Sequence, residues 1–273
     1  VYECAEEWDA YETDPLNKQH IREMDEALCR AADVVFVPSR ELLKRKSPQN
    51  PSTYLAPWGV DLELYARARD PATPIPADVR SLPRPIIGMF GMLDGRRLHT
   101  ELLRHLAVQH PDWSIVLVGR CMPNLDRSSL DPLPNVRFLG MRPVEQIPAY
   151  CKAFDVCMIP YMLNEFTRSI MPLKIAEYLA TGKPVVSTEL PAAVEMSDVI
   201  HVARDIPEFE QHLCAALAER PELSARRVAR AQDFDWDVLM RQRMAWVAPH
   251  LNGMHAAAGR PGPIQGDGCA AGG

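Results

Sequence analysis

Hydrophobic residues in the middle of the chain fall into six short apolar runs, several of which end at a glycine or a proline. The runs read PIIGMF, SIVLVG, VRFLG, VCMIPY, PVVST and VIHVA. Short aliphatic and β-branched runs of this kind are typical of parallel strands that are covered on both faces. We therefore predict six strands between residues 84 and 230.

Amphipathic helices are predicted between several of these strands. The apolar positions that recur at helical spacing are Leu98, Leu102, Leu103 and Leu106 in one, Val144, Ile147, Tyr150, Cys151 and Phe154 in another, and Phe209, Leu213 and Leu217 in a third. Alternating strands and helices are typical of a doubly wound α/β domain, which binds its ligands at the carboxyl ends of the strands.

The regions on either side of this unit have different patterns. The first part predicts a strand at VYEC, a helix from Ile21 to Ala31, a strand at DVVFVPS and a loop at APWGVDLELY. Residues 69–84 are rich in proline and predict an extended linker. Residues 235–251 predict a helix that packs back toward the first part, and the glycine-rich residues 252–273 predict a disordered tail.

Composition excludes several classes of partner. The formal net charge of −6 over 273 residues argues against nucleic acid as a partner, although peripheral association with a membrane stays open. The seven cysteines include no C-x-x-C pair, which favours reduced thiols in the cytoplasm and disfavours a zinc site. The chain begins inside an apparent strand with no Met and no signal peptide, so we expect a preceding part of the protein.

Glycines mark the ends of the first three predicted strands, at Gly91, Gly119 and Gly140. The first of these loops, GMFGMLDG, does not match the dinucleotide pattern G-x-G-x-x-G. Arg120 stands after the second strand, where a dinucleotide enzyme has an acidic ribose ligand. A hydride-transfer enzyme is therefore disfavoured, and the absence of GxxxxGK[ST] disfavours a P-loop.

The segment IMPLKIAEYLATGKPVVST predicts a helix with Pro172 at its first position and Gly182 at its end. Lys174 stands in the first turn, where the positive end of the helix dipole disfavours a cation. Lys174 and Glu177 share one helix face with Thr181, and the opposite face is assigned to Leu173, Ala176, Leu179 and Ala180.

Two interpretations of Lys174 and Glu177 follow. They could form a surface ion pair, which contributes roughly 0.2–0.5 kcal/mol. Alternatively an anion lies at the helix N-terminus, because backbone N–H groups attract phosphate there and Lys174 then serves that anion. Glu177 would in that case accept hydrogen bonds from two ribose hydroxyls.

Three segments of the chain resemble a known protein family. SIMPLKIAEYLATGKPVVST, NVRFLGMRPVEQIPAYCKAFDVCMIPY and DVVFVPSRELLKRK followed by APWGVDLELY resemble GT-B glycosyltransferases, especially the retaining enzymes of glycosyltransferase family 4 (group 1). Within that family, the chain is most similar to bacterial cell-surface polysaccharide transferases of the teichuronic-acid type. The resemblance spans residues 1–248 and is strongest over 85–190.

The resemblance implies a domain organisation with two Rossmann-like domains. Residues 1–68 would be the C-terminal remnant of an acceptor domain, residues 69–84 the linker, and residues 85–234 a complete donor domain. The expected activity is transfer of a sugar from a nucleotide diphosphate sugar, with UDP the expected nucleotide, to a saccharide or a lipid-linked acceptor. The anomeric configuration would be retained without a protein nucleophile, in cell-surface polysaccharide synthesis at the cytoplasmic side of the membrane.

The resemblance also implies a set of site residues. Glu177 matches the ribose-binding glutamate, the loop at Gly91 lies against the diphosphate, and a lysine matching Lys174 occurs in one subgroup. The complete expected donor-binding set is Gly91, Arg97, Gly119, Arg120, Gly140, Thr167, Ser169, Ile170, Leu173, Lys174 and Glu177.

The chain departs from the family pattern at three positions. Ser169 stands where many members carry a second glutamate near the transferred sugar. Met92 and Leu98 stand where members carry an arginine and a lysine that bind phosphate. Arg96, Arg97 or Lys174 are the candidates to replace those cations.

The segment EEWDAY follows the first strand and contains two candidates for a catalytic base, Glu6 and Glu7. Neither a metal nor a cofactor is expected. Asp235, within the D-x-D spacing of DFDWD, is predicted to cap the last helix instead. Two alternatives to a transferase stay open, which are a non-catalytic nucleotide-sugar binding module and a nucleotide-sugar epimerase of the same fold.

Overall fold

The computed structural model describes residues 1–258 of the chain. It contains the strands β1 (Tyr2–Glu3), β2 (Val35–Val37), β3 (Thr53–Leu55), β4 (Ile86–Phe90), β5 (Ser114–Val118), β6 (Val136–Gly140), β7 (Val156–Ile159), β8 (Val185–Thr188) and β9 (His201–Ala203). Its α-helices are α1 (Pro15–Ala31), α2 (Arg40–Lys46), α3 (Leu62–Ala66), α4 (Ala77–Arg80), α5 (Thr100–Gln109), α6 (Ile147–Ala153), α7 (Glu165–Ser169), α8 (Leu173–Thr181), α9 (Pro191–Val194), α10 (Ile206–Leu217), α11 (Glu222–Ala231) and α12 (Trp236–Ala258).

Six parallel strands form the large sheet, in the order β6-β5-β4-β7-β8-β9. All six strands predicted from the apolar runs are confirmed. The chain winds outward from β4 in both directions, since β4 pairs with β5 on one side and with β7 on the other. The strand order therefore reverses at β4, and this is where a doubly wound sheet opens a crevice for a ligand.

A smaller parallel sheet in the first part has the order β1-β2-β3. The predicted strands at its first two positions are confirmed, whereas β3 was not expected. The predicted loop APWGVDLELY is wrong over its last residues, because Leu62–Ala66 is helical. Asp61 explains the helix start, since its side chain accepts a hydrogen bond from the backbone N–H of Leu64 at 2.8 Å.

The segment before the proline-rich linker packs with the large sheet. Tyr65 and Ala68 belong to the same buried cluster as the strands β4 to β8. The backbone N–H of Val60 donates to the carbonyl of Phe234 at 2.8 Å. The linker itself is held down by Lys152, whose ammonium binds backbone carbonyls of residues 70–73 at 2.7–3.0 Å. Contacts with the large sheet therefore begin within the first part of the chain, before its predicted end at residue 68.

Helix α12 lies against the small sheet. The Trp246 ring stacks on Tyr54 with centroids 4.7 Å apart, and the Arg243 guanidinium binds Glu3 at 2.7 Å. The helix runs on to Ala258, past the predicted end at Leu251. The rest of the predicted disordered tail, residues 259–273, lies outside the described residues. Among the helices of residues 1–258, none combines the length and the hydropathy that crossing a membrane requires.

Candidate functional site

A cavity of about 420 Å³ opens at the carboxyl ends of β4 and β5. Its walls come from the loops after these strands, from α8 and from the segment before the linker. The lining residues are Tyr65, Phe90, Gly91, Met92, Val118, Gly119, Arg120, Met141, Arg142, Val144, Ile147 and Glu177. The tertiary structure thus brings four of the expected donor-binding residues, Gly91, Gly119, Arg120 and Glu177, into one cavity.

Two glycines form the floor of this cavity because no other residue fits there. Gly91 has φ +117° and Gly119 has φ +150°, conformations that residues with a Cβ rarely adopt. A Cβ at Gly119 would lie 1.8 Å from the carbonyl oxygen of Gly91. The two loops therefore pack backbone against backbone, which leaves the surface above them open to a bulky ligand group.

Helix α8 begins beside this floor. Pro172 precedes the helix as its N-cap residue, so the predicted placement at the first helical position is wrong by one residue. Gly182 ends the helix with φ +72°, as predicted. The prediction of an apolar face that includes Leu173 is also wrong, because Leu173 is 50% exposed while most of the helix is buried.

Lys174 is buried with its ammonium group against the glycine loop. Its side chain donates a hydrogen bond to the hydroxyl of Tyr161 and lies over that ring, 4.6 Å from the centroid. A Cβ added to Gly91 would be 3.2 Å from the Lys174 Nζ. Lys174 is 6% exposed, so a surface ion pair with Glu177 does not describe it.

Glu177 stands one turn further along α8 at the cavity wall. Its Oε1 accepts a hydrogen bond from the Tyr65 hydroxyl at 2.7 Å. Burial raises the pKa of Glu177, and this effect outweighs the Tyr65 hydrogen bond and the Lys174 charge, which both lower it. The carboxylate is therefore a hydrogen-bond acceptor in a poorly hydrated position, where polar contacts are strong.

Arg97 and Glu6 face one another where the small and large sheets meet. The Arg97 Nη2 lies 3.7 Å from the Glu6 Oε1 and 3.3 Å from the Tyr11 hydroxyl. The Arg97 guanidinium also lies over the Phe166 ring, 4.7 Å from its centroid. Burial raises the pKa of Glu6, against the lowering effect of Arg97 and Arg96. A cation and a carboxylate are thus held together at this junction.

The two candidates for a catalytic base are not equivalent. Glu7 is 8% exposed and binds Arg45 at 2.7 Å and Lys46 at 3.5 Å within the first part of the chain. These ion pairs occupy its carboxylate within the first part of the chain, and a role of Glu7 as a base stays a prediction. Glu6 remains the candidate that faces the large sheet.

Arg96 is fixed by Asp94. The Arg96 side chain donates to the Asp94 carboxylate at 2.7 and 3.1 Å, and its backbone N–H donates at 2.8 Å. Burial raises the pKa of Asp94, yet the bonds from Arg96 and Asn124 hold it far below its usual range. This network holds the loop between β4 and α5 in one conformation and leaves Arg97 as the arginine that faces Glu6.

Three expected site residues lie away from the cavity surface. Thr167 is fully buried, and its hydroxyl donates to the carbonyl of Met162 at 2.5 Å. Ser169 is also fully buried, and its hydroxyl donates to the carbonyl of Phe166 at 3.1 Å. Ile170 is 4% exposed. The hydroxyls of Thr167 and Ser169 are thus used inside the protein, and a role of these three residues in donor binding stays a prediction.

Gly140 lines a neighbouring cavity of about 450 Å³, which shares Gly119, Arg120 and Met141 with the first one. The two cavities therefore form one crevice over the ends of β4, β5 and β6.

Two tyrosines at the site, Tyr65 and Tyr161, were not predicted from the sequence. Tyr161 follows a predicted strand and could have been found from that position, whereas Tyr65 lay in a predicted loop and gave no signal.

Asp235 caps α12, as predicted from its position. Its side chain accepts hydrogen bonds from the backbone N–H groups of Asp237 at 2.7 Å and Val238 at 3.3 Å. The carboxylate is thereby used in the helix start.

Residues 84–219 match the sequence model of the family described as glycosyl transferases group 1. These residues, just under half of the chain, are therefore similar to the group 1 glycosyltransferases, a family of transferase enzymes. It is also 26% identical over 267 residues to a protein of Bacillus subtilis (strain 168) that is provisionally named as the teichuronic acid biosynthesis glycosyltransferase TuaH. That match covers 90% of this chain and 66% of TuaH, so the chain spans just under two thirds of its relative.

Several solved structures share the fold, and a glycosyltransferase involved in lipopolysaccharide biosynthesis, WaaG, is among them. Anabaena HepE in complex with UDP superposes with a TM-score of 0.71 at 19% identity, covering 93% of this chain and 72% of HepE. Sucrose-phosphate synthase from Thermosynechococcus elongatus gives a TM-score of 0.66 at 22% identity, covering 92% of this chain and 66% of that enzyme. The parallel-sheet α/β architecture is thus that of GT-B glycosyltransferases, as expected from the sequence.

Proposed function

We propose that this chain binds a nucleotide diphosphate sugar in the cavity at the ends of β4 and β5, with UDP as the nucleotide. One observation carries the proposal: the cavity joins the Glu177 carboxylate to the glycine loop at Gly91, against which the Lys174 ammonium lies. Glu177 accepts hydrogen bonds from the ribose hydroxyls. Gly91, Lys174 and the backbone N–H groups at the start of α8 bind the diphosphate.

The proposed reaction transfers the sugar to a hydroxyl of an acceptor. The bond between the anomeric carbon and the diphosphate oxygen breaks, and a bond forms between that carbon and the acceptor oxygen. Negative charge develops on the departing UDP, and the buried Lys174 stabilises it because a cation in a water-poor site interacts strongly. The acceptor proton passes to the departing phosphate oxygen on the same face, so the anomeric configuration is retained.

The acceptor side of the proposal rests on Glu6 and Arg97, which face one another at the junction of the two sheets. Glu6 orients the acceptor hydroxyl, and Arg97 adds positive charge next to the transferred group. We propose a saccharide or a lipid-linked saccharide as acceptor, in cell-surface polysaccharide synthesis. The name of the Bacillus subtilis relative, which refers to teichuronic acid biosynthesis, supports this choice.

One observation favours a second candidate, a nucleotide-sugar binding module without turnover. Ser169, at the position where related enzymes carry a glutamate near the transferred sugar, is fully buried and bonded to the Phe166 carbonyl.

Incubation of the purified chain with radiolabelled UDP-sugars and oligosaccharide acceptors tests the proposal. Label recovered in a longer saccharide supports the transferase, and binding of UDP-sugar with no label transferred supports the binding module. Conversion of one UDP-sugar into another would indicate an epimerase instead. Isothermal titration calorimetry that detects no UDP binding would overturn the donor site itself.

A further inference from the structure

Tyr65, on α3, was not predicted as a site residue from the sequence and has no role in the proposed reaction. Its side chain is 2% exposed, and its hydroxyl is directed at Glu177 across the wall of the cavity. The two residues are 112 positions apart in the chain. A tyrosine that was needed only for packing would not require its hydroxyl in this position.

We propose that Tyr65 is a positioning residue that fixes the Glu177 carboxylate for the ribose of the bound nucleotide. The inference rests on the proposed function, since it assigns a partner to the ribose acceptor. The Tyr65 hydroxyl donates to the Glu177 Oε1 at 2.7 Å, and within residues 1–251 no second hydrogen-bond partner is found for this carboxylate. The Glu177 Oε2 therefore remains available to the cavity.

The geometry around Tyr65 makes this contact rigid. Its ring stacks on Phe90 with centroids 6.1 Å apart, and Phe90 meets the Tyr178 ring edge-on at 5.0 Å. The backbone N–H of Phe90 donates to the Tyr178 hydroxyl at 3.2 Å. Tyr65 is thus held by Phe90, which in turn is held by the neighbour of Glu177 on α8.

This arrangement connects the two ends of the proposed nucleotide site. Phe90 is the last residue of β4 and directly precedes Gly91, whose loop lies against Lys174. A glutamate side chain has several rotamers, and each rotamer lost on binding reduces the affinity. Because Tyr65 holds one oxygen of Glu177 before the nucleotide arrives, the other oxygen is already oriented toward the ribose.

The experiment compares the Tyr65→Phe variant with the unaltered chain by isothermal titration calorimetry, using UDP and 2′,3′-dideoxy-UDP. The dideoxy ligand has the diphosphate and the base but lacks both ribose hydroxyls. We expect Tyr65→Phe to weaken UDP binding by about five- to tenfold, the usual net effect of losing one hydrogen bond. Binding of the dideoxy ligand should change by less than about twofold, because Glu177 has no hydroxyl to bind there.

The control is Tyr54→Phe, which removes the hydroxyl of a half-buried tyrosine that stacks on Trp246, far from the cavity. We expect it to leave both affinities unchanged. Phenylalanine keeps the ring that packs on Phe90, so Tyr65→Phe should fold, and its thermal unfolding is measured alongside. A Glu177→Gln background provides a second comparison, in which adding Tyr65→Phe should cause little further loss.

Four results would overturn the inference in recognisably different ways. Equal losses for UDP and 2′,3′-dideoxy-UDP in Tyr65→Phe would assign Tyr65 a merely structural role, and no loss for either would remove its role altogether. In both cases the proposed function stands. If the unaltered chain itself binds the two ligands equally well, the ribose assignment of Glu177 fails and the inference fails with it. If it binds neither ligand, the proposed donor site fails as a whole.

Discussion

The ammonium group of Lys174 lies against Gly91, so close that a Cβ on that glycine would be 3.2 Å from the lysine Nζ. A cation in the first turn of a helix is unfavourable by roughly 0.3–1 kcal/mol, and this lysine is also buried. The hydrogen bond to Tyr161 uses one of its three donors. The remaining donors and the charge are explained if an anion binds between the lysine and the glycine loop.

Replacement of Lys174 should weaken binding of the diphosphate more than binding of the nucleoside. We expect Lys174→Ala to weaken UDP binding by about 10- to 100-fold, the usual effect of losing a charge-assisted hydrogen bond in a buried site. Uridine binding should change by less than about threefold. Calorimetry with both ligands measures the difference, and Lys44→Ala, on the exposed part of α2, is the matched control. Equal losses for UDP and uridine would show that Lys174 does not serve the diphosphate.

Removal of the proposed ribose acceptor should weaken all ligands that carry a ribose. We expect Glu177→Ala to reduce UDP affinity at least about tenfold, or about 1.4 kcal/mol. The reason is that the ribose hydroxyls lose an ionised acceptor in a poorly hydrated site. Calorimetry of Glu101→Ala, an exposed glutamate on α5, provides the control. An unchanged UDP affinity in Glu177→Ala would contradict the ribose assignment.

The ionisation of Glu177 predicts a pH dependence. Burial raises the pKa of this carboxyl above its ordinary value, and the ionised form is the one that accepts from the ribose. Uridine affinity should therefore be full at high pH and fall as the pH drops through the raised pKa, earlier than for an ordinary glutamate. Uridine is the ligand for this titration because it carries no phosphate that titrates in the same range. In Glu177→Gln the profile should be flat, and a profile that stays the same in this variant would assign the titration to another group.

The packing of the two glycine loops predicts a large loss of stability. We expect Gly119→Ala to lower the free energy of unfolding by about 3 kcal/mol, because its Cβ would overlap the Gly91 carbonyl and its φ is strained. Gly140→Ala, with a similar sign of φ but its nearest neighbour atom at 3.9 Å, should cost only about 1–2 kcal/mol. Urea denaturation followed by circular dichroism measures both. Equal effects would mean that the close approach of the loops contributes nothing.

Glu6 and Glu7 are predicted to differ in what they contribute. Glu6→Gln should reduce sugar transfer by about 100-fold with UDP affinity unchanged, because Glu6 faces Arg97 on the acceptor side of the junction. Glu7→Gln removes a partner of Arg45 and Lys46 and should mainly lower stability, by about 1–3 kcal/mol. Transfer assays, calorimetry and thermal unfolding of the two variants distinguish these roles. Loss of UDP binding in Glu6→Gln would show that Glu6 contributes to binding of the donor and not of the acceptor.

The sequence was a good guide wherever the relevant signal is local. The strands of the large sheet follow from apolar runs, the stop of α8 from Gly182, and the cap of α12 from Asp235. Each of these is decided by a residue and its nearest neighbours along the chain. The interpretation of Lys174 and Glu177 as a surface ion pair was wrong for a related reason. Helical spacing shows which side chains share a face, but it does not show how deeply that face is buried.

What the sequence by itself determined is the class of fold and the presence of a lysine and a glutamate at the start of one helix. What only the tertiary structure decided is their surroundings: Tyr65 on Glu177, Tyr161 on Lys174, and Arg97 beside Glu6. Strand order and sheet twist bring together residues as distant as Tyr65 and Glu177. Hydrophobic periodicity records which residues face inward, and it carries no information about which inward-facing residues meet.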